Sequence, residues 1–220
     1  MGREVVTPPP EADGTSAKDK AQTPPGYLRL FFEAVLIAYL IITFVLTTVG
    51  ISGGSMQPSL EDGERALVWR FETWLHRMGI GSFDRGDIVY FPSPESKSPS
   101  WFPFRTHLIK RIVAVGGDTV EMKNGQLVIN GQMIDEIHLD NGARSGFTMP
   151  LQVVPNNHVF VLGDNRSPFG SVDSRRFGSI PEERLAGRAV SVIWPIFDKE
   201  PGKTVLNWRI LRRPKAFREL

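Results

Sequence analysis

Two segments carry side chains that could do chemistry together. The first is Ile51-Ser52-Gly53-Gly54-Ser55-Met56-Gln57-Pro58-Ser59-Leu60. Glycine admits backbone conformations that other residues resist. A Gly-Gly-Ser turn can therefore expose the Ser55 hydroxyl and aim the serine N–H at a bound carbonyl, giving a nucleophile and an oxyanion donor. The plain alternative is a flexible Gly/Ser linker, but Met56, Pro58 and Leu60 are not linker residues. The second segment is Leu108-Ile109-Lys110-Arg111-Ile112-Val113-Ala114-Val115, closed by Gly116-Gly117-Asp118. A β-branched run so bounded reads as a strand. Alternation puts Lys110 on one face with Leu108, Ile112 and Ala114. An ammonium there is either solvated at the sheet rim or desolvated. Desolvation lowers a lysine pKa, and a lysine so tuned acts as a general base near neutral pH.

A third cluster, Gly163-Asp164-Asn165-Arg166 followed by Ser171-Val172-Asp173-Ser174-Arg175-Arg176-Phe177-Gly178, reads as a hydrogen-bonded loop, with Asp173 and Arg175 as a candidate ion pair. A serine hydroxyl needs a base to take its proton. His107 falls on the strand face opposite Lys110, and no Gly-x-Ser-x-Gly elbow surrounds any serine. Ser-Lys is the better pairing. The absence of cysteine excludes disulfides, thiolate metal sites and a cysteine nucleophile. His76, His107, His138 and His158 lack metal-binding spacing, so no zinc site is expected, and a Ser-Lys pair needs no metal or cofactor. A net charge of +2, with no basic stripe, gives no support to nucleic-acid binding.

These groups need elements to hold them. Residues 1–26 are rich in Pro, Lys, Asp, Glu, Thr and Ala and read as a disordered tail. Leu30 to Val49 is strongly apolar, with Glu33 as its only charge. Twenty helical residues reach roughly 30 Å, the thickness of a bilayer core. With a long tail before it and no small-residue cleavage site after it, 27–50 reads as a permanent transmembrane helix, not a removed leader. Lys18, Lys20 and Arg29 precede the span and Arg65 alone follows closely, which places the tail in the cytoplasm and 51–220 outside.

The remainder reads as β-rich. Strands are expected at Arg65–Trp69, Asp87–Phe91, Thr119–Lys123, Gln126–Ile129, Gln132–Ile134, His158–Leu162 and Arg188–Trp194, with one short helix near Phe71–Met78. Asn124-Gly125 and Asn130-Gly131 suit type I′ turns and mark a meander. Pro92, Pro94, Pro99 and Pro103 punctuate a loop that also carries Trp101, Phe102 and Phe104.

Gly53-Gly54-Ser55-Met56-Gln57-Pro58-Ser59-Leu60, then Lys110-Arg111 with Gly117-Asp118, then Gly163-Asp164-Asn165-Arg166 with Ser171-x-Asp173-Ser174-Arg175-x-x-Gly178, occur in that order behind one apolar span. This succession resembles the boxes of the type I signal peptidases, membrane-anchored Ser-Lys endopeptidases that remove signal peptides from exported proteins. The resemblance covers about residues 30–200. It implies a mainly β fold, one N-terminal transmembrane helix followed by an extracytoplasmic β-rich catalytic domain. It implies Ser55 as nucleophile, Lys110 as general base, Ser171 as the hydroxyl that orients the amine, and Asp173–Arg175 as support. Gly53 stands where some members place an oxyanion-holding serine. Ser167-Pro168-Phe169-Gly170 puts four residues where the family commonly has two.

The implied partners are signal peptides of pre-proteins, the lipid bilayer of the cell membrane and the secretion translocon. Ile51, Met56 and Leu108 are expected to wall shallow pockets for an Ala-x-Ala-like end. Trp101, Phe102 and Phe104, or Trp194, Ile196 and Phe197, are candidate interfacial anchors. The alternatives are a specialised relative with one dedicated substrate and an inactive membrane-anchored β-domain.

Overall fold

A computed structural model of the chain describes residues 2, 26–96, 106–137, 139, 146–200, 203–218 and 220. The expected tail, apart from Gly2 and Gly26, lies outside the described residues, as do Trp101, Phe102, Phe104 and His138. The chain divides into two units, one ending at Ala38 and one running from Tyr39 to Leu220.

Helix α1 spans Gly26–Leu40 and buries none of its residues. An apolar helix with no protein packed on it suits lipid. With the π-helical turn Ile41–Val45, it gives 20 residues long and apolar enough to cross a membrane. Glu33 is paired with Arg29 one turn earlier, at 2.8 Å. The helical span ends earlier than the expected residue 50. Leu46–Gly50 is a strand, β1, in register with β2 (Arg65–Trp69) from Leu46↔Trp69 to Gly50↔Arg65. Thr47, Thr48 and Val49 are β-branched, and a waiting sheet edge captures them where the apolar run alone suggested more helix.

The fold beyond β2 is mainly β, as expected. Helix α2 (Phe71–Arg77) leads to β3 (Ile88–Pro92) and β4 (His107–Val115). Strands β5 (Thr119–Lys123), β6 (Gln126–Ile129), β7 (Gln132–Met133) and β8 (Met149–Val153) form a four-stranded sheet ordered β7-β6-β5-β8. Asn124 and Asn130 take positive φ at its two Asn-Gly turns. After β9 (His158–Leu162) come α3 (Ser174–Phe177), β10 (Ile180–Pro181) and β11 (Gly187–Trp194). Strands β12 (Phe197–Glu200) and β13 (Lys203–Leu206) pair with each other, β14 (Arg209–Ile210) pairs with β11, and α4 (Lys215–Arg218) follows.

The large sheet runs β1-β2-β11-β3-β4-β9-β10 and is antiparallel throughout. Three buried clusters fill it. One joins Ile51, Met56, Leu60 and Val68 to Ile88 and Val192; another holds Val89, Phe91, Ile112 and Val161, with Leu108 against it. The third, with Met122, Leu127, Ile129 and Leu162, lies where the smaller sheet packs. Ala114 belongs to that third cluster and not with Leu108 and Ile112. A bulge between Ile112 and Ala114 shifts β4 against β9 and breaks the expected alternation.

Candidate active site

Ser55 lies on the loop between β1 and β2, and Lys110 lies in the first half of β4. The Lys110 Nζ donates to Ser55 Oγ at 2.6 Å. Lys110 is only 2% exposed. Burial pushes its pKa down from 10.5 to about 8, against the charges of Asp173 and Asp164, which raise it, while Arg175 lowers it. The same separation lets the serine O–H donate to the amine once the lysine is neutral. The Ser55 N–H has no partner among the described residues and is available to an oxyanion.

The nucleophile loop is tied from both sides. Gly53 takes φ +82°, so a side chain there is strained, and its N–H donates to Asp62 Oδ1 at 2.7 Å. Asn165 donates its N–H to the Ser55 carbonyl at 3.1 Å and its Nδ2 to the Gly54 carbonyl at 3.2 Å. A Cβ on Gly163 would collide with the Ser55 carbonyl oxygen and the Ser171 hydroxyl, so three loops meet where only glycine fits.

Asp173 and Arg175 form the expected pair, with Arg175 Nε on Oδ1 at 2.9 Å and Nη2 on Oδ2 at 2.8 Å. Asp173 also caps α3 and accepts the Gly163 N–H at 3.0 Å. Burial works to raise its pKa, but Arg175, the Gly163 N–H and Ser171 outweigh that and hold it below the usual carboxylate range. Ser171 departs from expectation. Its buried hydroxyl makes no well-formed hydrogen bond among the described residues and does not reach the Lys110 amine as a partner. It packs against Gly163 and lies close enough to Asp173 to lower the carboxylate's pKa. The longer loop before it is a turn, Gly170 N–H to the Ser167 carbonyl at 3.1 Å, hung on Asn165 Oδ1 by the Ser167 hydroxyl at 2.5 Å.

A cleft of about 380 Å³ opens beside the dyad, lined by Thr48, Val49 and Gly50 of β1, Ser52, Ser55, Tyr90, and His107–Lys110 of β4. Leu108 therefore borders it as expected. Ile51 and Met56 do not: both are core residues, Met56 with no exposed surface at all, because the chain turns inward there to join the cluster under β2. Tyr90, stacked on His107 at 4.7 Å, takes their place in the wall. The cleft has two strand edges. β1 is the first strand of the sheet, and β4 pairs with β9 only from Arg111 onward. A roomier cavity, about 460 Å³ against β2, β11 and β14, holds Asp87 paired with Arg213 and Arg188 but no nucleophile with a base.

Beneath the dyad lies a layer of ion pairs that the roles assigned from sequence left out. Arg111 grips Asp164 at 2.8 and 2.6 Å and donates to the Gly86 carbonyl and the Ser59 hydroxyl. Arg166 grips Glu136 at 2.7 and 2.6 Å. The Gly-Asp-Asn-Arg spelling was the available signal, since a charged run directly after an apolar strand must find buried partners.

The sequence profile described as "Signal peptidase, peptidase S26" matches residues 26–194. Signal peptidase I of Bacillus amyloliquefaciens is 34% identical over 197 residues, covering 86% of this chain and 94% of that one. Signal peptidase I S of Bacillus subtilis (strain 168) is 37% identical over 173 residues, covering 74% and 84%. A crystal structure of a signal peptidase I from Enterococcus faecalis V583 covers 50% of this chain and 97% of that one, at 30% identity and a TM-score of 0.38.

Proposed function

The chain belongs to the signal peptidase family, peptidase S26, and from that premise we propose that Ser55 and Lys110 perform its reaction. The protein is a membrane-anchored serine endopeptidase that removes N-terminal signal peptides from exported pre-proteins. The observation that carries the assignment of the dyad is the 2.6 Å contact between a buried lysine amine and the Ser55 hydroxyl, the one serine hydroxyl it bonds among the described residues.

Neutral Lys110 takes the Ser55 proton, and Oγ attacks the carbonyl carbon of the scissile bond while the Ser55 N–H holds the oxyanion. The C–N bond breaks as the Lys110 ammonium returns the proton to the leaving amine. Lys110 then takes a proton from water, the hydroxide attacks the ester, and Ser55 leaves reprotonated. Asp173 and Arg175 hold the loop carrying Ser171 in place, and Ser171 supports the site by packing on Gly163 beside the nucleophile loop and not by a bond to the amine.

The substrate lies extended in the cleft, where the edges of β1 and of Leu108–Lys110 offer backbone groups to a strand between them. Val49, Tyr90, Leu108 and Ile109 wall a shallow space that suits the small residues of an Ala-x-Ala end. The Lys and Arg balance around the span supports a cytoplasmic N-terminus and an extracytoplasmic catalytic unit, with the translocon supplying substrate. Of the interfacial anchors read from the sequence, Trp194, Ile196 and Phe197 are exposed.

Ser55→Ala and Lys110→Ala are each expected to abolish processing of a pre-protein, followed as a mobility shift on a gel, with the near-ultraviolet circular dichroism of the wild type retained. Substantial cleavage by the purified Lys110→Ala protein sinks the dyad. Processing by the wild type of several unrelated pre-proteins excludes a one-substrate specialist.

A further inference from the structure

Helix α2 begins where the membrane span ends. The Arg70 N–H donates to the carbonyl of Val45, the last helical residue of the span, at 2.9 Å. The next pair in the β1–β2 register is Leu46↔Trp69. Phe44, inside the span, packs its ring 6.2 Å from that of Trp74 on α2. Any bilayer that holds the span to Val45 therefore has its surface at Arg70–Trp74.

The helix has two unlike sides. One is fastened to the protein: Thr73 is buried, Glu72 pairs with Arg188, and His76 reaches Glu182 at 2.6 Å and packs on Phe83. The other carries Trp74, Arg77 and Met78, spaced three and four apart along one face. Trp74 is 46% exposed and Met78 66%. Gly79 and Gly81 both take positive φ (78° and 79°), and the turn they make leaves Ile80 57% exposed between them. The Arg77 guanidinium sits 5.6 Å over the Trp74 ring on the same exposed side, with Nη2 alone reaching back to the Glu183 carbonyl at 3.3 Å. A tryptophan, two long aliphatic chains and an arginine at the depth where a span leaves the bilayer are the composition of an interfacial segment.

We infer that α2 and the Gly79–Gly81 turn form a second membrane contact that lies on the bilayer, with Trp74, Met78 and Ile80 in the boundary between headgroups and acyl chains and Arg77 among the phosphates. The occupant of this face is lipid, because the face is continuous with the span through Phe44 and Arg70. The contact fixes the orientation of the β-rich unit at the membrane, which a single span leaves free to pivot.

The chain has no cysteine, so one introduced thiol can be labelled alone. Full-length Met78→Cys and Ile80→Cys proteins, each carrying an environment-sensitive fluorophore, are reconstituted into vesicles of phosphatidylcholine with one-third phosphatidylglycerol. Met133→Cys, at an exposed position on β7, is the water-facing reference. Lipids spin-labelled near the headgroup are expected to quench the labels at 78 and 80 at least threefold more than the label at 133, while iodide in the water quenches them less. Iodide quenching equal to that at 133 overturns the inference, since the face is then in water. Protection from both quenchers overturns it too, since a protein and not lipid then covers the face. The measurement needs no activity, so its outcome is independent of the assignment of Ser55 and Lys110.

Discussion

At 2% exposure the Lys110 amine has lost most of its water, and that loss sets its proton affinity more than any neighbouring charge. The amine binds a proton less tightly folded, at about 8, than unfolded, near 10.5. Two consequences follow with definite signs. In the proposed mechanism activity needs the neutral form, so kcat/KM should rise close to tenfold per pH unit below 8 and level off above it. Stability needs the opposite accounting. Between pH 8 and 10.5 the unfolded chain binds more protons, so stability rises with pH, and below 8 the whole cost of the buried charge, about 3 kcal/mol, is present. Lys110→Met removes that cost. It should be inactive yet more resistant to urea than the wild type at pH 7, with the difference closing toward pH 10.5. A difference that stays constant from pH 7 to 10 contradicts a buried amine. Asp173 adds a second sign. Its charge raises the Lys110 pKa, so Asp173→Asn should move the acid limb of the pH profile below 8 while weakening the fold through an Arg175 that has lost its carboxylate and keeps only the Arg166 carbonyl and the Phe147 ring. A limb that moves upward would mean that Asp173 acts on something other than the amine.

The elements that carry these residues differ in how far they could be read in advance. Thr119–Lys123, Gln126–Ile129 and His158–Leu162 stand at the residues where alternation and Asn-Gly turns placed them, because local sequence alone specifies a meander. Leu46–Gly50 was hidden, since its apolar composition continues that of the span and only a partner 15 to 23 positions on makes it a strand. Ser55 facing Lys110 was legible as a pattern of residue types. The pairs Arg111–Asp164 and Arg166–Glu136 were not, being 53 and 30 residues apart with nothing local to link them. Nor was the place of Ser171, which depends on how its longer preceding loop folds against Asn165. The tightest of these meetings is at Gly163, between the nucleophile loop and the Ser171 loop. Gly163→Ala should push them apart at a cost of about 1–3 kcal/mol. The thermal midpoint should fall and kcat should drop at least tenfold, because Ser55 moves relative to Lys110. Wild-type kcat in the alanine variant would mean that the two loops have slack that their packing does not suggest.

The whole molecule couples a membrane span to a cleft through a single strand. β1 starts at Leu46, directly after the span, and its last three residues, Thr48–Gly50, already line the cleft. Five strand residues at about 3.3 Å each put the cleft no more than about 17 Å from the end of the span. A signal peptide's apolar segment sits in the same bilayer, and an extended chain covers that distance in about five residues. If β1 rises from a surface on which α2 rests, the scissile bond must stand about five residues beyond the substrate's apolar run to reach Ser55. A series of one pre-protein whose scissile bond stands three, five or eight residues beyond that run, the last three always Ala-x-Ala, tests this. With enzyme and substrate in the same vesicles, the five- and eight-residue forms should be cut at similar rates. The three-residue form, which extends only about 10 Å, should be cut at least tenfold more slowly. The same three peptides in detergent, where neither chain is held to a plane, should differ little. Equal cutting of all three in vesicles would mean that β1 lies flat on the bilayer and that the cleft opens at the surface itself.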